Sequence, residues 1–100
     1  MYEYTDKTKA FAIGKLISSI YKLLCTYEEL SNTIPLEYVD VVISEINSAN
    51  DLFFNGELIY IVVQLNTLKQ PENQTHKKVK KITFDCANSL CRIRDVMLNG

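Results

Sequence analysis

Residues 57–69 read ELIYIVVQLNTLK, and the fold turns on whether this stretch is a helix or a strand. Leu58, Ile61, Val62, Leu65 and Leu68 recur at helical spacing. The run IYIVV inside it is also good strand chemistry, and Asn55-Gly56 just before it is a hairpin turn signal. A hairpin needs a partner strand, however, and the preceding INSANDLFF alternates poorly between apolar and polar residues. The helical reading is preferred, and a strand over 57–65 in an α+β fold is the alternative. As a helix the segment is apolar nearly all round, which predicts a central position.

Upstream, residues 6–30 form an amphipathic pattern in which Ile13, Leu16, Ile20, Leu23, Leu24, Tyr27 and Leu30 share a face. Thr5 or Asp6 can cap its start with a side-chain oxygen. Lys15, Lys22 and Glu29 fall on the opposite face, and Gly14 weakens the helix by roughly 1 kcal/mol against alanine. A second helix is expected over about 34–49, capped by Thr33, with Pro35 in its first turn and Leu36, Val39, Val42, Ile43 and Ile46 inward. Ser48 to Gly56 then reads as a connection, within which Leu52, Phe53 and Phe54 either plug the core or form a contact site. Downstream, Pro71 marks a loop and Thr75 caps a last helix over about 76–98. With the central segment as a helix over 57–69, the expected fold is all-α: a small antiparallel four-helix bundle forming one domain over 1–100.

Charge is distributed unevenly along this frame. Residues 31–68 carry Glu37, Asp40, Glu45, Asp51 and Glu57 and no Lys or Arg, a net charge of −5. Residues 69–100 carry seven cations and three acids, a net charge of +4. Four of those cations, Lys77, Lys78, Lys80 and Lys81, crowd the first turns of the last helix. On a wheel, Val79, Ile82, Cys86, Leu90, Ile93 and Met97 span an arc of about 80°, and the lysines lie away from it. That makes them first of all a solvated face. Cations near a helix N-terminus oppose the macrodipole, which calls for a compensating anion: the acidic middle, a partner protein or phosphate. A second apolar stripe, Phe84, Ala87, Cys91 and Leu98, lies beside the first and widens the apolar arc to about 200°, enough for two neighbours or a neighbour and a partner.

Composition narrows the function. Hydrophobic residues at 47% and charged residues at 23% place the chain among ordinary globular domains. The longest apolar run, Leu58 to Val63, is far short of the roughly 20 residues a membrane helix needs. The polar start MYEYTDKTK is no secretory signal, and three irregularly spaced cysteines suggest reduced thiols, so a cytoplasmic location is expected, with no membrane partner. The excess of lysine over arginine, with many Ile, Asn and Tyr, suggests an AT-rich genome; a phage or virus is among the sources that fit. Tyr2 and Tyr4 form an arm before the first helix that either frays or docks on a neighbour.

The residues for chemistry are sparse. Only Gly14, Gly56 and Gly100 are available, so there is no phosphate-binding glycine loop. His76 is the one histidine, and Cys86 and Cys91 stand ten and fifteen residues from it on one helix, about 15–22 Å along the axis. Three scattered cysteines and one histidine supply a zinc site poorly, and the Glu37/Asp40 pair lacks the facing residues of a di-metal bundle. No enzymatic role, metal or cofactor is expected. The expectation is a protein–protein interaction module: a small adaptor, an inhibitor or immunity-type protein, or an assembly subunit. Its contacts would be Phe53, Phe54, Phe84, Cys91 and Leu98 with complementary charge, and its partner either foreign or a second copy in a homodimer. The alternative is nucleic-acid binding through Lys77, Lys78, Lys80 and Lys81, with Arg92 and Arg94.

Overall fold

The 57–69 segment is helical in the computed structural model, which describes residues 5–30, 33–53 and 55–99. Four helices run in chain order: α1 (Asp6–Glu29), α2 (Leu36–Leu52), α3 (Gly56–Asn66) and α4 (His76–Asn99). Short 3₁₀ turns at Thr67–Lys69 and Pro71–Asn73 link α3 to α4. Among the described residues there is no strand, so the hairpin alternative falls. The Asn55 side chain that could have served a hairpin turn instead caps α3, accepting from the Glu57 N–H at 3.0 Å.

Each helix starts for a local reason. Thr5 Oγ1 accepts from the Thr8 N–H at 3.2 Å, and Thr75 Oγ1 accepts from the Lys78 N–H at 3.3 Å. Helix α2 departs from expectation at both ends. Pro35, not Thr33, occupies its capping position, and no side-chain cap bond forms there. The helix also continues through Leu52, where a connection was expected from Ser48. The buried stripe explains this: Val39, Val42, Ile46, Ala49 and Phe53 continue at helical spacing, while Ser48, Asn50 and Asp51 stay on or near the wet side. The Asn50 side chain then closes the turn by accepting from the Asn55 N–H at 2.9 Å.

The helices pack antiparallel as a square. Helix α1 lies between α4 and α2, and α3 lies between α2 and α4 at the corner diagonal to α1. The α1–α4 seam is the most extensive. Its register is visible in three pairs: Tyr27 beside His76, Tyr21 beside Phe84, and Gly14 under Arg94. One continuous core joins Ile13, Ile20, Ile46, Leu58, Ile61, Leu65, Val79 and Leu90, all fully buried. Thr83 is the only buried polar side chain among the described residues, and its hydroxyl donates back to the Val79 carbonyl at 2.8 Å.

Helix α3 is not central. Leu58, Ile61 and Leu65 are buried, but Ile59, Tyr60 and Val63 are exposed on its outward face. High mean hydropathy did not require burial all round, because α3 packs mainly against α2 and α4 and leaves its outer side without a neighbouring helix. The particle measures 45 × 23 × 21 Å, and the two 24-residue helices set its length. Near the far end Phe53, Ala12 and Leu16 line one surface hollow, so the first turns of α1 and the last turns of α4 run on beyond α2.

Candidate functional site

The last helix presents the second apolar stripe unevenly. Ala87, in its middle, is fully buried. Cys91 is half-buried against the core, with its Sγ 4.0 Å from an Arg94 guanidinium nitrogen. Phe84 and Leu98 remain exposed. The stripe is thus core at its centre and surface at its ends. Phe53, expected as a contact, is a core plug instead, and it is Leu52 that is exposed. The reason is the α2 stripe: Phe53 follows Ala49 by four residues and shares its inward face. Phe54 lies outside the described residues.

Helix α1 supplies what the sequence reading missed. Tyr21 packs edge-on against Phe84, with centroids 5.9 Å apart and planes at 70°. Phe11 is 68% exposed, with the Lys15 ammonium 5.2 Å from its ring centre. Lys80 sits in the same way over Phe84, at 5.7 Å. Positions 7, 11, 14, 18 and 21 of α1 recur every three or four residues, so a wheel of α1 alone would have found this face. Between the helices runs an open groove of about 470 Å³, lined by Lys7, Phe11, Gly14, Lys15, Arg94 and Leu98 among others.

The lysine cluster is largely engaged within its own end of the bundle. Lys81 bonds Asp85 at 2.9 Å, and this hydrogen bond, aided by the carboxylate charge, holds its pKa above the ordinary lysine value. Lys78 donates to the Glu72 carbonyl at 3.2 Å, and Lys80 lies over Phe84. Lys77 is exposed. His76 stands 3.4 Å from a Glu28 oxygen. The acidic middle does not neutralise this cluster among the described residues: Asp40 pairs with Lys69, and Glu45 accepts from Ser19 at 3.0 Å. Arg92 reaches back to Ser89 at 3.0 Å while Arg94 turns over Gly14, so the two arginines do not extend the lysine patch.

Among the described residues no group of three or more His, Cys, Asp or Glu side chains is placed to hold a metal ion. Burial, with a smaller push from the Asp85 charge, raises the Cys86 thiol to about 12, and its Sγ donates to Gln64 Oε1 at 3.3 Å. A thiol held protonated in this way is a packing residue, not a nucleophile. It also leaves a signature. The native state keeps its proton above the ordinary pKa of 9.0 while the unfolded chain loses it, so stability falls as pH rises from about 9 towards 12. In urea titrations at pH 8 and pH 10, the Cys86→Ala variant is expected to lose roughly 1 kcal/mol less than the parent between the two pH values.

None of the helices described is long and apolar enough to cross a membrane. No family model matches the chain, and neither a curated protein nor a solved structure matches it.

Proposed function

We propose that this chain is a non-enzymatic protein-binding module, acting in the cytosol, whose contact face is the outer side of the α1–α4 pair. The observation that carries this reading is the row of exposed apolar side chains shared by two helices: Phe11 and Tyr21 on α1, Phe84 and Leu98 on α4. Aromatic residues fixed on rigid helices lose little entropy on binding, and flanking cations set orientation and association rate. Cys91 and Arg94 sit between Phe84 and Leu98 along α4 and belong to the same face. The free thiols of Cys25, Cys86 and Cys91 support a reducing compartment.

A second reading has one observation in its favour. The Phe84–Tyr21 pair stands next to Lys80, and single-stranded nucleic acids bind where aromatic rings meet cations. Against it, Lys81 is paired with Asp85, and Arg92 and Arg94 turn away from the patch.

Light scattering on a sizing column at low and high salt, with absorbance at 260 and 280 nm, separates the two. The expected result is a protein-only species. If it is an oligomer, Phe84→Asp or Leu98→Asp is expected to dissociate it without loss of helical circular dichroism. Nucleic acid that co-purifies and is lost at high salt would sink the protein-binding reading and favour the second.

A further inference from the structure

We propose that the groove between Phe11 and Leu98 takes an acidic amphipathic helix of a foreign protein. This rests on the protein-binding reading above and adds the chemistry of the partner.

Three observations converge. The first is shape. Lys7, Phe11 and Lys15 stand one turn apart along α1, and Arg94 and Leu98 one turn apart along the antiparallel α4. Two such rows offer anchors at the spacing a third helix presents on one face, and Lys7 to Lys15 spans about 12 Å, two turns of a ligand helix. The second is the floor. Ala10, Gly14 and Ser18 are small and keep the groove open along α1, and the Arg94 guanidinium lies over Gly14, where a ligand helix would meet its charge. The third is charge. Three cations line the groove and no carboxylate does, and among the described residues Lys7, Lys15 and Arg94 form no ion pair. Lys15 is already held against the Phe11 ring, which keeps its charge on the groove wall.

The same features argue against other occupants. The exposed face of this chain's own α2 that carries Tyr38, Val41 and the carboxylate of Glu45 shares its surface with Lys22 of α1. A second copy docking by that face would bring a lysine among the three cations. A single-stranded nucleic acid fits less well, because Phe11 is the one aromatic ring among the residues that line the groove, and stacking of successive bases needs more than one.

The test is fluorescence anisotropy with two labelled peptides of about 18 residues that share a leucine face, one flanked by glutamates and the other by lysines. A labelled oligothymidylate of about 15 nucleotides is the third probe. The acidic peptide is expected to bind at least tenfold more tightly than its lysine sister and to weaken as salt rises. Lys15→Glu with Arg94→Glu is expected to invert that preference, and Lys15→Glu alone to narrow it should the double variant fail to fold. Leu98→Asp is expected to weaken both peptides. Equal binding of both peptides, lost in Leu98→Asp, would overturn the acidic partner while leaving the protein-binding reading intact. Binding of neither peptide, with salt-sensitive self-association of the chain alone, would replace the foreign helix by a second copy. Preference for the oligothymidylate would overturn both readings.

Discussion

Leu90→Ala is expected to destabilise the fold by about 3 kcal/mol, whereas Leu98→Ala, eight residues on along the same helix, costs under about 0.5 kcal/mol. Leu90 is 0% exposed and belongs to the central core, so its truncation loses both transfer energy and the contacts around the cavity left behind. Leu98 is 53% exposed on the groove wall, where neighbours move into the space or water fills it. A domain of this length has a total stability of order 5–10 kcal/mol, so the first change removes a large share of it. Urea denaturation followed at 222 nm reads both values from midpoints at constant slope. Equal costs for the two leucines would mean that the end of α4 is packed as tightly as its centre, and would remove the groove.

Gln74→Ala is expected to cost about 2–3 kcal/mol, an unusual penalty for a polar loop residue. The Gln74 side chain donates through Nε2 to the Leu68 carbonyl and accepts at Oε1 from the Ile34 N–H at 3.4 Å. Its main-chain carbonyl accepts from the buried Tyr27 hydroxyl, also at 3.4 Å. One residue therefore ties the segment before α2, the turn after α3 and the end of α1 together. Truncation leaves a partly buried donor at Ile34 and acceptor at Leu68 without partners, and an unmade bond costs more than a made one contributes. Gln74→Glu is the sharper control: it keeps an acceptor for Ile34 but sets a carboxylate against the Leu68 carbonyl, so it should be no better than alanine. Amide exchange at Ile34 is expected to accelerate in Gln74→Ala, and an unchanged rate there would show that the clasp carries no load.

Gln74 also marks where the sequence stops being readable. Its partners lie forty residues upstream and six upstream, and no local pattern announces either. The helices themselves were legible, because the buried stripes of α1 and α4 are long and regular and because Leu58, Ile61, Leu65 and Leu68 outweigh the strand-like IYIVV. The far end of α2 was not, since Ser48, Asn50 and Asp51 look like a loop until Ala49 and Phe53 are seen to extend the stripe. The outward face of α3 was hidden for a different reason: hydropathy reports what a helix can bury, and the number of helices packed round it decides what it does bury. Of the proposed contact face, Phe84, Cys91 and Leu98 were visible along one helix. Phe11 and Tyr21 share a face that a wheel of α1 would have shown, but that this face borders Phe84 and Leu98 appears only once α1 and α4 are side by side.

That pairing of first helix with last has a consequence for how the molecule opens. Forming the α1–α4 seam closes a loop of the intervening α2–α3 segment, an entropic cost of roughly 3–4 kcal/mol that no local contact offsets in advance. The seam is then a clasp that closes only when the hairpin of α2 and α3 is already compact, and the body of the bundle should unfold as one unit. The turns of α1 and α4 beyond Phe53 form the end of that seam and extend past the end of α2. They are the part that can separate at low free energy while the rest holds. Lys7, Phe11 and Leu98 sit on those turns, so that end of the groove can widen while the Gly14–Arg94 end stays fixed.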